Sequence, residues 1–227
     1  MGSAPSRRLR TLPDPPTQFN GTPNKLPLSA GTPLWRVHRE KYPADEFNPN
    51  PVAQDLASEF AGGRFDSATQ DPYPFLYAAA DDRTAVAEKL LRDLPVSQFG
   101  KREMLSQEVS GLCVSQIDVA AGLELVSLRS GSDLAAIGID TRLTIGPSTE
   151  YPVTREWSAA IREWADWAQG LTWRSGREPD GFAFVFFGDR IGTGDIVMSA
   201  NSSCGAEAFD LITLILSQYN VAVRDES

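Results

Sequence analysis

The chain has 227 residues, with 30 acidic against 21 basic side chains and a net charge of -9. That length holds one main domain with a sizeable core, and 41% apolar residues with 18 glycines is an ordinary proportion for a folded protein. The negative balance opposes the counterion release that drives binding to nucleic acids and anionic membranes, so direct contact with either is not expected.

Further exclusions come from single residue types. The longest apolar run near the C-terminus, Leu211 to Leu216, is far shorter than the ~20 residues of a membrane span and belongs to a core. Arg7 and Arg8 are followed by Thr11 to Pro16 rather than by an apolar run, so no export signal is expected and a cytoplasmic location follows. Cys113 and Cys204 lie far apart and outside any CxxC or Cys/His cluster, which predicts free thiols in a reducing compartment. His38 is the single histidine. No His-ligated metal cluster can be built from it, and no GxSxG elbow accompanies it for a catalytic triad. Neither a P-loop nor a GxGxxG segment is present, and Gly188 to Gly194, GDRIGTG, has the wrong spacing.

In chain order, residues 1–33 hold seven prolines and few large apolar side chains, which reads as a Pro-rich tail or surface wrap ahead of a domain over 34–227. Thr32 to Arg39 alternates as a first strand that places Arg36 and His38 on one face. Asn48 to Pro51 is a turn. Gly62 and Gly63 permit a sharp bend or a close ligand approach. Phe75 to Ala79 is a short buried strand, and Asp81 or Asp82 caps a helix running to about Leu94, with Glu88 at the edge of its apolar stripe. Leu112 to Val119 and Leu123 to Leu128 are strands joined by a tight turn. Ser132 opens a short helix closed by Gly138. A helix from near Thr154 carries Trp157, Ile161, Trp164 and Ala168 and stops at Gly170. LTWRS and GFAFVFF are strands, and Glu207 to Gln218 is a closing helix. The pattern predicts an α/β (α+β) single domain with a twisted mixed sheet and flanking helices, without internal repeats.

Five segments in this order, LWRV at Leu34 to Val37, GGRFD at Gly62 to Asp66, LYAA followed by TAVAE ending at Glu88, REWSAAI at Arg155 to Ile161, and GLTWRS at Gly170 to Ser175, resemble the RES-domain family. The resemblance implies an ADP-ribosyltransferase-like fold. It also implies a bacterial toxin that degrades NAD, by phosphorolysis or hydrolysis of the nicotinamide-ribose bond, and that a helix-turn-helix antitoxin neutralises. NAD would be the substrate, with no prosthetic group and no metal, and phosphate a further ligand. By motif position the family's functional residues fall on Arg36, Arg64, Tyr77, Glu88 and Ser175. Phe65, Asp66 and Gly176 stand where the family more often has Trp, Asn and Arg.

The chemistry of these residues suits that reading. Arg64 and Arg36 can clamp a pyrophosphate by charge-assisted hydrogen bonds. Nicotinamide is already a cationic leaving group, so Glu88 would stabilise an oxocarbenium-like ribose without a general acid. Tyr77 would stack on the nicotinamide, Ser175 would bond its amide or a phosphate, and His38 would line the same pocket. Each residue also has an ordinary explanation. Glu88 and Arg92, at i and i+4, make a surface helix ion pair, Arg64 and Ser175 are turn residues, Tyr77 is core, Arg36 pairs with an acid, and His38 is structural. Two rival functions use the same residues: mono-ADP-ribosylation of a protein or small molecule, and a catalytically inactive RES-like binding module.

Overall fold

The computed structural model describes residues 12–48, 62–95, 100 and 102–225; Arg7, Arg8 and the Asn48 to Pro51 turn beyond Asn48 lie outside them. Ten strands are present among the described residues: β1 (Lys25–Leu28), β2 (Pro33–Arg39), β3 (Phe75–Ala79), β4 (Arg102–Leu105), β5 (Leu112–Val119), β6 (Leu123–Leu128), β7 (Gly170–Arg174), β8 (Phe182–Phe187), β9 (Ile196–Ser203) and β10 (Val221–Arg224). Six helices join them: α1 (Asp82–Leu90), α2 (Ser106–Val109), α3 (Gly131–Ala136), α4 (Arg142–Ile145), α5 (Tyr151–Trp164) and α6 (Gly205–Gln218).

Eight strands form one sheet in the order β1-β6-β7-β8-β3-β2-β5-β9, while β10 and β4 pair separately. Within the large sheet β6 and β7 run parallel and the other neighbours antiparallel, so the sheet is mixed. Alternation along the strands sends side chains to two faces. Trp35 and Val37 of β2 pack with α1 and α6, whereas Leu34 packs with Leu76, Ile117 and Phe184 in a separate cluster. A third cluster joins Trp157 and Ile161 of α5 to Leu171, Trp173 and Val185 of β7 and β8.

The sheet is interrupted at its centre. β3 holds five register pairs with β8 and β2 holds seven with β5, but β2 and β3 share only Trp35 with Ala79. The loop after β2 fills part of the gap, since Asn48 N–H donates to Phe75 O at 2.9 Å.

Helix ends differ from the sequence expectation for identifiable reasons. Asp81 caps α1 by accepting from Thr84 N at 2.6 Å, but the helix stops at Leu90 instead of Leu94. Past that point the Arg92 carbonyl accepts from Arg177 Nη2 at 2.6 Å rather than from a helical N–H. α5 starts earlier than Thr154, with Pro152 in its first turn. It ends at Trp164, where Arg190 Nη1 donates to the carbonyls of Ala165 and Ala168. Gly170 then begins β7 instead of trailing a helix, because a Cβ there would come within 2.3 Å of Val185 O on β8.

The Pro-rich segment packs from Leu12 onward. Leu12 is fully buried, Trp157 Nε1 donates to Pro13 O at 2.8 Å, and Phe19 stacks on Trp164 at 4.0 Å between centroids. The segment then becomes edge strand β1, which periodicity alone does not signal because Pro27 interrupts it.

The cysteines correct a second expectation. Cys113 and Cys204 form a disulfide with Cα atoms 4.4 Å apart, and no free cysteine remains. Val114 pairs with Ser203, so antiparallel geometry brings the next two residues together across 91 positions of sequence, a proximity that spacing cannot reveal. The cysteines therefore do not point to a reducing compartment. Among the described residues no helix is long and apolar enough to cross a membrane, and no group of three His, Cys, Asp or Glu gathers as a metal site.

Replacing Leu12 with Ala should destabilise the protein by about 2–5 kcal/mol, the usual loss for a buried leucine. Equilibrium urea unfolding checks this, since a truly loose tail would leave the midpoint unchanged.

Candidate active site

Where β2 and β3 separate, a cleft of about 420 Å³ opens, walled by both strands, the 62–66 turn, α1, Tyr151 and Trp173. Its volume falls in the range of small-molecule sites.

The 62–66 turn is held from within. Gly62 has φ +85°, and Asp66 Oδ2 accepts from Gly63 N at 2.7 Å. Tyr77 donates its hydroxyl to Asp66 Oδ1 at 2.8 Å and accepts from Phe65 N at 2.8 Å. A Cβ at Gly63 would fall 2.5 Å from Asp66 Oδ1 and 2.7 Å from the Tyr77 hydroxyl, so only glycine fits the knot. Burial raises the Asp66 carboxyl above its ordinary range and pushes the Tyr77 phenol well above its own, which keeps Tyr77 a neutral donor.

This turn aims Arg64 into the wall. The guanidinium is buried, donates to Leu143 O at 3.1 Å and Gly146 O at 2.7 Å, and lies over the Tyr151 ring. Arg36 is positioned similarly, its Nη1 donating to Ala44 O and Glu46 O at 2.7 Å each. Burial lowers its pKa to about 10, leaving it charged at neutral pH. Neither arginine has a carboxylate within ion-pair distance among the described residues; Glu46 and Asp45 act on Arg36, and Glu88 acts on Arg64, from farther away.

Two further cations line the cleft, Lys89 and Arg92. Burial and the neighbouring Arg92, Arg39 and Arg36 lower the Lys89 pKa. Arg92 reaches back to Gly62 O at 2.7 Å and pairs with Asp93 at 2.8 Å. The helix ion pair with Glu88 that spacing suggests is therefore replaced by a bond to the glycine turn. One signal for Arg92 lies in the sequence: a residue four positions after Glu88 shares its helix face. Lys89 and Tyr151 carry no such signal.

Glu88 is half-buried on the cleft wall, and its Oε1 accepts from Ser175 Oγ at 2.6 Å. Ser175 is 2% exposed, and its Oγ also accepts from Arg177 N at 3.0 Å and Glu178 N at 2.9 Å. A hydroxyl has one donor and two acceptor positions. All three are occupied, and Ser175 is not on the cleft surface. Ser175, expected to bond a ligand amide or phosphate directly, instead lies behind Glu88 with its hydroxyl bonded within the protein. The Tyr77 hydroxyl is likewise engaged, which leaves its ring as its contribution to the cleft.

The RES domain family matches residues 33–200 of this chain. Among solved structures, the chain is similar to one in the crystal structure of the M. tuberculosis MbcT-MbcA toxin-antitoxin complex, at 13% identity and a TM-score of 0.53, over 84% of this chain and 92% of that one. The likeness fits the ADP-ribosyltransferase-like α/β fold, a single mixed-sheet domain with flanking helices. No curated protein matches.

His38 lies apart from these residues. It is 8% exposed and outside the cleft wall, a correction to its expected place there. Its Nδ1 meets Arg39 O at 3.1 Å and its Nε2 meets Ser115 Oγ at 2.8 Å. A carbonyl only accepts, so Nδ1 carries the proton and Nε2 accepts from the serine. Burial lowers its pKa below 6.5. The unfolded chain therefore binds more protons between the folded value and 6.5, and stability is full above that window and falls as pH drops through it. A His38→Gln variant should lose this slope, at most about 1.4 kcal/mol per pH unit. Unfolding midpoints of both proteins at about pH 7 and about pH 5.5 test it.

Proposed function

This chain belongs to the RES domain family, and we propose that it is a toxin-like enzyme that cleaves the nicotinamide-ribose bond of NAD, with water or phosphate as acceptor and a helix-turn-helix antitoxin as partner. One observation carries the reading. In a protein of net charge -9, Glu88 stands anchored on the wall of a cleft shared with Arg36, Arg64, Lys89 and Arg92.

A dinucleotide needs that combination. Its diphosphate is matched by cations that are desolvated and not tied up in contact ion pairs, and a low-dielectric wall strengthens their pull. Arg36 and Arg64 are fixed through backbone carbonyls, so their orientation is set before any ligand arrives. Nicotinamide leaves as a neutral molecule from a cationic precursor, and the positive charge that develops on the ribose calls for one carboxylate. Glu88 supplies it. With Oε1 held by Ser175, Oε2 has no partner among the described residues and is open to the ribose. Tyr77 and Trp173 give the leaving ring an aromatic wall. The antitoxin is supported by the naming of the similar solved structure as a toxin-antitoxin complex.

Purified protein incubated with NAD, with and without phosphate, should release nicotinamide, and no release in either buffer refutes cleavage by water or phosphate. NAD loss that requires an added acceptor protein would instead establish an ADP-ribosyl transferase. Glu88→Gln, which keeps the size and the Ser175 bond, should lower kcat by roughly 10²–10³, as removal of one transition-state charge partner does. Ser175→Ala should lower kcat by about tenfold with KM for NAD near the wild-type value, because it loosens Glu88 without removing a substrate contact. A rise in KM at constant kcat would assign the serine to ligand binding after all.

A further inference from the structure

Trp173 forms part of the cleft wall, is 1% exposed, and its indole Nε1–H has no acceptor among the described residues. The contrast with Trp157 is direct, since that indole donates to Pro13 O. Buried donors are rarely left unmatched, because the loss of water is not repaid by a protein bond. Trp173 cannot swing away to find a partner. β7 lies between β6 and β8, and the indole is wedged edge-on against Phe65 at 5.0 Å and Tyr77 at 6.2 Å between ring centroids.

The neighbouring hydroxyl groups are already engaged. Tyr77 donates to Asp66 and accepts from Phe65 N, and Ser175 is saturated by Glu88 and two backbone N–H groups. An indole N–H is a donor only, so a ligand must bring an acceptor. In NAD the pyridinium nitrogen is alkylated and has no lone pair, which leaves the carboxamide oxygen as the strong acceptor on that ring.

We infer that Trp173 is a substrate-binding residue whose indole N–H donates to the carboxamide oxygen of the nicotinamide, so that the site selects dinucleotides carrying a carbonyl on the leaving ring. The inference rests on the NAD-cleaving reading above. It gives the cleft a direction: carboxamide toward Trp173, ribose beside Glu88, diphosphate toward Arg36 and Arg64.

The test compares wild-type protein and Trp173→Phe on NAD and on the pyridine analogue of NAD that lacks the carboxamide. Loss of one neutral hydrogen bond should lower kcat/KM for NAD about fivefold while leaving the ratio for the analogue near one. An equal fall on both substrates would mean that the indole only packs, and unchanged turnover of NAD would mean that the N–H is unused; either overturns the inference while the NAD reading stands. No cleavage by the wild-type protein overturns both. Should the variant not fold, the wild-type protein still decides. Nicotinamide should move the Trp173 indole resonance downfield in ¹H–¹⁵N spectra and pyridine should not, and an equal response to both ligands overturns the inference.

Discussion

The single register pair between Trp35 and Ala79 is the constraint on which the site depends. If β2 and β3 stayed paired along their length, their hydrogen bonds would close the sheet and leave no gap for a ligand. Because they separate, residues on both strand edges become walls, and the 62–66 turn and α1 complete the enclosure. The cost of unpaired strand edges is partly offset where the loop after β2 reaches Phe75 through Asn48 and where Arg36 ties that loop down by two carbonyls.

The polar groups around the cleft divide into those that are fixed and those that are free. Asp66, Tyr77 and Ser175 have their hydrogen-bonding positions filled by protein, and they set the geometry of the turn and of Glu88. Among the described residues, one oxygen of Glu88 and the Trp173 N–H have no hydrogen-bond partner, and Arg36, Arg64 and Lys89 make no contact ion pair. A site of this kind is preorganised, since binding need not break internal bonds before making new ones. The cationic cleft stands out against the overall negative charge of the chain.

How far the site was legible in sequence depends on whether a residue's role is local. β3, β5 and β6 could be read to their end residues because their apolar runs are bounded by turn residues, and Asp81 announced α1 as a cap. Arg36, Arg64, Tyr77 and Glu88 stand out through motif position, and the fold brings all four to one cleft. Ser175 was found too, but the destination of its hydroxyl depends on α1 lying beside the end of β7, which no local pattern encodes. Lys89 and Tyr151 give no local signal as cleft residues for the same reason. β9 was missed because its serines and asparagine give a polar strand without an apolar face, and the disulfide was missed because it follows from the β5–β9 register.

The large sheet ends in two unlike edges. β1 is short, and Pro27 removes a backbone donor from it, so that edge offers little to a further strand. β9 is eight residues long, with Val197 and Met198 exposed, and Asp45 covers one of its donors by accepting from Met198 N–H. Of the two edges, β9 is therefore the one whose backbone is less guarded against pairing with a further strand.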